Sequence, residues 1–210
     1  MDFQILEVIK DKSVLTPAVK LILYKDEKAI WKDYSTRPQL VKKSWGEILI
    51  NNEYAILKKL EGITGIPKPI ARTKNGFVVE YIQGTFLHKV KEGTLPYEII
   101  QRLEKLIGEM HKRFVAHLDL AQRKNIIITN DFNPYIIDFA NSLHIRPKNL
   151  LSRQIFKYLC LIDYGSLLKF KNRYFPEKMT PEDKKFLKRF WAIRRWWFLS
   201  PKTFRVKDKV

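Results

Sequence analysis

The chain has 210 residues, 45% hydrophobic and 13% aromatic, which excludes a disordered polypeptide and allows one sizeable core or two small lobes sharing a cleft. Forty Lys and Arg against 22 Asp and Glu give a formal charge of +18, a surplus that asks for an anionic partner: nucleic acid, an acidic membrane surface or a phosphorylated small molecule. The single cysteine, Cys160 in the apolar run IFKYLCLI, excludes an internal disulfide and any multi-cysteine metal cluster, and reads as a core residue.

The opening MDFQILEVIK has no basic stretch ahead of an apolar one, so no signal peptide is expected. No window approaches the roughly 20 apolar residues of a transmembrane helix. The expected location is cytoplasmic, with a peripheral position on the inner face of the membrane as a variant. FQILEVI, AVKLILY and KAIWKDY alternate as strands across residues 1–35. A helix is expected over about 44–60, with Ser44 as N-cap and Glu47 three residues on. GITGIPKPI breaks it, and two strands, IARTK and GFVVEYI, follow with Asn75-Gly76 as their turn.

From Gly84 the character becomes helical. Residues 96–114 carry an apolar stripe, and two short strands, NIIIT and YIIDF, flank the turn NDFNP. Helices are expected at about 149–162, 163–171 and 181–199, the last capped by Thr180 with Pro181 at its first position and Asp183 near a capping box. The organisation expected is α+β: a strand-rich lobe over 1–83 with one helix, then a helical lobe over 84–210 with one small hairpin.

The stretch VAHLDLAQRKNIII, residues 115–128, interrupts apolar sequence with His117, Asp119, Gln122, Arg123, Lys124 and Asn125. Pairing the two short strands antiparallel would bring Asn125 near Asp138. An Asn oxygen beside an Asp carboxylate is a hard-oxygen pair of the kind Mg²⁺ takes, with phosphates completing its shell. Asp119, six positions before Asn125, could then accept a proton from a hydroxyl. As single residues these are equally well turn residues and a strand-end cap; in this order they point to chemistry.

HLDL…N followed by IIDFA resembles the catalytic loop and metal-binding segment of the protein-kinase-like superfamily. AIWK at 29–32 resembles the strand that carries the phosphate-binding lysine, and NNEYAILKKL the helix that supplies its partner. The resemblance implies ATP and Mg²⁺ (or Mn²⁺) as cofactors, Lys32 on the nucleotide phosphates, and Glu53 on Lys32. It also implies that Glu80 and Ile82 of VVEYIQG meet adenine through their backbone, that Asn125 and Asp138 hold the metal, and that Asp119 is catalytic. Within the superfamily, EYAILKKLEGITGIPKPI resembles compact members, namely RIO-type kinases and bacterial lipopolysaccharide-core sugar kinases, both without an A-P-E segment.

The fold implied is a minimal two-lobed kinase. The function implied is phosphoryl transfer to a hydroxyl, with a sugar of the lipopolysaccharide core leading and a protein Ser/Thr second. His117 reads as packing the loop, and Arg123-Lys124 either as neutralising phosphate or as a solvated run. Departures from the pattern are an Asp119–Asn125 interval one residue longer than usual, Ala140 in place of the motif glycine, and no glycine before Gly46. Ser13 and Thr16 would then have to cover the phosphates. A non-catalytic kinase-like scaffold is the rival reading, although a scaffold needs none of Lys32, Glu53, Asp119, Asn125 and Asp138.

Residues 171–210 hold thirteen Lys and Arg against four Asp and Glu. Phe186, Phe190, Ile193 and Trp197 fall on one helical face, with Lys185, Lys188, Arg189 and Arg195 elsewhere. Such a helix either packs its aromatics inward as the last helix of the lobe or lies on an anionic membrane. Nucleic acid is the weaker partner, since no recognition motif accompanies the charge.

Overall fold

The structure, a computed structural model, describes residues 3–11, 16–38 and 46–196, the last six by backbone alone. Ser44, Ser13 and Trp197, and any role read for them, lie outside the described residues. Five antiparallel strands form the N-terminal sheet in the order β1-β2-β3-β5-β4: β1 (Gln4–Lys10), β2 (Ala18–Tyr24), β3 (Glu27–Asp33), β4 (Pro69–Thr73) and β5 (Gly76–Glu80). The β2–β3 hairpin turns through Lys25 and Asp26, both at positive φ (51° and 64°), a geometry that matches the twist of the flanking strands.

The second hairpin differs from expectation. Thr73 pairs with Gly76, so the turn residues are Lys74 and Asn75, and Gly76 belongs to the strand. Its lack of a side chain serves a close approach: a Cβ there would lie 1.9 Å from the Lys32 carbonyl oxygen. The glycine thus seats β5 against the strand that carries Lys32.

Helix α1 (Glu47–Leu60) buries Ile50, Glu53, Ile56, Leu57 and Leu60. Helix α2 (Glu98–Lys112) buries Ile99, Ile100, Leu103, Leu106, Ile107 and Met110, the i, i+3, i+4, i+7 pattern of one apolar face. β6 (Thr85–Phe86), β8 (Ile126–Ile128) and β9 (Pro134–Ile136) make a small sheet, and β7 (Val115–Ala116) pairs with β10 (Leu143–His144). YIIDF is not a strand to its end, because Asp138 at φ 65° leaves the extended conformation and starts a 3-10 turn, Phe139–Asn141.

One unbroken helix, α3 (Leu150–Tyr174), replaces the two expected at 149–171. Asp163, Gly165 and Ser166, near the expected boundary, sit inside it without interrupting it. Asp163 is fully buried and accepts the backbone N–H groups of His117 and Leu118, Gly165 lies under the Phe190 ring, and Ser166 Oγ donates within the helix to the Ile162 carbonyl one turn back. Helix α4 (Pro181–Trp196) begins with the expected reciprocal cap, Asp183 N–H on Thr180 Oγ1 (3.1 Å) and Thr180 N–H on Asp183 Oδ2 (3.2 Å).

Phe186 and Phe190 turn onto α3, with Phe186 edge-on to Tyr164 at 5.3 Å, so that stretch of the basic helix packs inward. The main core cluster runs from Tyr34 and Ile50 through Leu103 and Phe139 to Leu167 and Phe170, joining sheet and helices, with a smaller one at Ile22, Ala29 and Val78. Among the described residues no helix is long and apolar enough to cross a membrane. The α+β class, with the sheet in the N-terminal half and helices in the C-terminal half, stands as expected.

Candidate active site

β3 carries Lys32 into the space beneath the sheet, and α1 presents Glu53 from the opposite side. Lys32 Nζ donates to Glu53 Oε1 at 2.5 Å and lies 3.5 Å from Asp138 Oδ1. Glu53 Oε1 also accepts the Phe139 N–H at 3.1 Å, so one carboxylate ties β3, α1 and the segment after β9 together. The left-handed conformation of Asp138 lets Phe139 point into the core while the Asp138 carboxylate stays 42% exposed.

Burial works against the Lys32 ammonium, but Glu53 and Asp138 outweigh it and raise its pKa. Burial pushes the Glu53 carboxyl up, opposed by Lys32. The Lys32 charge holds Asp138 below the usual carboxylate range, opposed by burial. Asp138 therefore stands ionised at neutral pH, facing the same space as Lys32.

The loop around Asp119 is fixed from three directions. Asp163 on α3 accepts the backbone N–H groups of His117 and Leu118, both at 2.8 Å, and pairs with His111 at 3.0 Å. His117 Nε2 donates to the Ile137 carbonyl at 3.1 Å while its Nδ1 accepts the Asp119 N–H at 3.3 Å. That pattern sets the ring's tautomer and leaves it no free nitrogen, so its role is to pack and orient.

The Asp119 carboxylate accepts Gln122 Nε2 on both oxygens at 2.6 Å and Asn125 Nδ2 at 3.1 Å. The extra residue of the long Asp119–Asn125 interval is taken up by successive tight turns. Gln122 N–H bonds to the Asp119 carbonyl (3.3 Å), Asn125 N–H to the Gln122 carbonyl (2.9 Å), and Arg123–Asn125 is a 3-10 turn. Arg123 swings away to Tyr174 Oη at 2.9 Å, whereas Lys124 stays at the cavity.

That cavity, about 450 Å³, is lined by Lys32, Glu53, Glu80, Ile82, Asn125 and Asp138, six of the seven expected site residues. Asp119 does not line it but is bonded to Asn125, which does. Apolar walls come from Val19, Leu21 and Ile30 on the sheet and from Ile127 and Ile137 below. The shape suits a flat apolar group beside a polyanion. At Glu80 the backbone N–H is engaged with the Lys68 carbonyl (2.9 Å) and cannot donate to a base; Ile82 follows on the same wall.

Thr16 stands elsewhere. Its carbonyl accepts Arg37 Nε at 2.9 Å, its hydroxyl is buried with no partner among the described residues, and it does not line the cavity. Lys10 and Ile9 of β1 line the opening there instead.

The residues present fit a Mg²⁺ ion. Asn125 spends its amide nitrogen on Asp119, which leaves its oxygen for a ligand, and Asp138 offers an ionised carboxylate. Sequence reasoning passed over Asp163 and named Gln122 without giving it a role. A carboxylate inside the apolar run CLIDYGSLL was the signal for the first, because a buried Asp must find donors.

The chain can be set beside known proteins on this geometry. No curated protein matches it in sequence. The Rio2 kinase of Chaetomium thermophilum, solved as its ADP/Mg²⁺–phosphoaspartate complex, matches with a TM-score of 0.60 at 18% identity, covering 88% of this chain and 61% of that one. A second structure of the same kinase gives 0.61 at 18% identity, with 88% and 63% covered. The chain thus spans about three fifths of the length of the solved structures it matches, and at this identity the likeness speaks for the fold. A model of the RIO domain matches residues 19–181, from the strand before Lys32 to the start of α4, and on that match the chain belongs to the RIO-domain family.

Proposed function

We propose that this protein is a kinase that transfers the γ-phosphoryl group of ATP to a hydroxyl, with Mg²⁺ as cofactor. The observation that carries the reading is the joint placement of Lys32, Glu53, Asn125 and Asp138 on one cavity that also has apolar walls from Val19, Leu21, Ile30, Ile127 and Ile137. Phosphoryl transfer needs little covalent participation from the protein; it needs positioning and neutralisation of spread negative charge. Lys32, held charged and oriented by Glu53, would bind the α/β-phosphates. The metal, carried by Asn125 and Asp138, would supply charge neutralisation between the phosphates.

Asp119, oriented by Gln122 and Asn125, would accept or align the acceptor hydroxyl, and Lys124 would lie near the transferred group. The ADP/Mg²⁺ of the Rio2 complex supports this cofactor assignment. A nucleotide lobe over 1–83 and an acceptor lobe over 84–210 are part of the proposal, as is a cytoplasmic location.

For the acceptor, a protein Ser/Thr of the RIO type has the support of the family match. A lipopolysaccharide-core sugar has only the sequence resemblance behind it, and the inward packing of Phe186 and Phe190 takes away part of the aromatic face that a membrane-facing sugar kinase would use. A second reading, ATP hydrolysis by way of an aspartyl phosphate, is favoured by the phosphoaspartate of the Rio2 complex. Hydroxylamine separates the two, since it strips phosphate from an acyl phosphate and leaves a phosphoester intact.

The test of the site is thermal stability with ATP, Mg²⁺ and both, on the parent chain and Asp138→Ala. Ligand at about 100 times its dissociation constant adds about 2.7 kcal/mol. The expected result is a metal-dependent ATP shift in the parent that is lost in the variant. No shift under any condition would overturn the kinase reading in favour of the scaffold.

A further inference from the structure

A second cavity, about 420 Å³, lies at the C-terminal end of α1 and shares no lining residue with the nucleotide cavity. Its floor is apolar: Ile63, Leu106 and Pro134 are buried, and the half-buried Tyr135 adds an aromatic wall. Its rim is basic. Arg102 and Lys105 stand one turn apart on α2 and Arg113 is the residue that caps its C-terminal end, all three exposed and all three lining the cavity.

The guanidinium groups are already placed. Arg102 Nη1 donates to the carbonyls of Asp131 (3.2 Å) and Phe132 (3.1 Å) and to Asn133 Oδ1 (2.9 Å). Arg113 Nη1 donates to the carbonyls of Lys59 (2.8 Å) and Glu61 (2.7 Å). Each bond uses one nitrogen of a group with five N–H donors, so both forks keep donors for a ligand while their side-chain entropy is already spent.

Among the described residues none of these three cations forms an ion pair with a carboxylate. The one carboxylate on the wall, Glu109, is itself paired with Lys112 at 2.6 Å. The turn opposite is pressed close. Gly65, at φ 94°, would place a Cβ 2.8 Å from both Leu106 Cδ2 and the Pro134 carbonyl oxygen, so this wall is held by backbone packing. An apolar, aromatic-walled cleft rimmed by three cations that form no carboxylate ion pair among the described residues, two of them pre-oriented and with Glu109 the one negative charge near Lys105 and Arg113, is complementary to a small body with a dianionic head.

We propose that this cleft is a second ligand site, separate from the nucleotide cavity, which takes the phosphomonoester of a small organic molecule. The phosphate lies among Arg102, Lys105 and Arg113, and the organic part rests on Leu106, Pro134 and Tyr135. The inference does not depend on the kinase reading, because no residue of the nucleotide cavity takes part.

The experiment is calorimetric titration of the full chain with phenyl phosphate and with inorganic phosphate at fixed ionic strength. It compares the parent, Lys105→Glu and Lys32→Ala. Lys105 is exposed and makes no ion pair with a described carboxylate, so its replacement leaves the fold intact. The expected result is saturable binding of phenyl phosphate, tighter than that of inorganic phosphate, weakened about tenfold or more by Lys105→Glu and unchanged by Lys32→Ala. Equal affinity in Lys105→Glu, a loss in Lys32→Ala instead, or no saturable binding in the parent would each overturn the site. Inorganic phosphate binding as tightly as phenyl phosphate would overturn the organic part of the assignment.

Discussion

Asp163 shows at the scale of a single residue how a buried carboxylate sets up a site it does not enter. Its two oxygens take the N–H groups of His117 and Leu118 and face His111. Removing it strands a buried donor, a half-buried one and a histidine. Asp163→Ala should therefore cost on the order of 3 kcal/mol or more in urea denaturation, with Asp163→Asn intermediate because it keeps one acceptor.

His111 adds a pH dependence. Burial works against its protonated ring, but Asp163 outweighs burial, with Cys160 contributing, and the pKa rises to about 9. An imidazolium favoured by the folded state stabilises it fully below the unfolded value of about 6.5, and that stabilisation drains away as pH rises through about 9. Denaturation midpoints should fall across this window in the parent and more shallowly in His111→Gln. Identical slopes in the two proteins would assign the effect to another group.

At the scale of elements, the site depends on how closely strands and helices approach one another. β5 meets β3 at the position where Gly76 faces the Lys32 carbonyl. Gly76→Ala puts a methyl where backbone already stands, so β3 must shift. The expected loss is about 1–3 kcal/mol of stability, together with weaker ATP binding as Lys32 moves relative to Glu53. Matching midpoints with and without the methyl would mean that the hairpin yields at no cost. Helix α3 shows the same principle in the opposite sense: the expected boundary near 162–163 is bridged, with Asp163 accepting N–H groups of a distant segment and Gly165 leaving room for the Phe190 ring.

Charge is the property of the whole molecule. A formal +18 on 210 residues repels itself, and few acidic groups relieve it. Added salt shortens the Debye length to about 8 Å at 0.15 M and screens that repulsion. The melting temperature should therefore rise between about 0.02 and 0.3 M sodium chloride, while the affinity for ATP falls over the same range. A falling melting temperature would show that surface ion pairs outweigh the repulsion. The continuous core from Tyr34 to Phe170 lets the sheet and the helices share one hydrophobic interior around the cavity.

The sequence by itself determined the α+β order, the Thr180–Asp183 cap and the residue types of the site. These rest on local rules: alternation in β2 and β3, the 3.6-residue stripe of α2, and a short-range reciprocal hydrogen bond. Resemblance to the kinase-like superfamily also named Lys32 and Glu53, 21 positions apart. Tertiary structure alone decided the rest. Which residues turn the β4–β5 hairpin, whether α3 breaks at Asp163, where Thr16 points, and that Arg123 leaves the site while Lys124 stays all depend on partners distant in the chain. A polar residue in an apolar run has one meaning if it is solvated and another if distant backbone donors surround it, and only the folded chain brings those donors near.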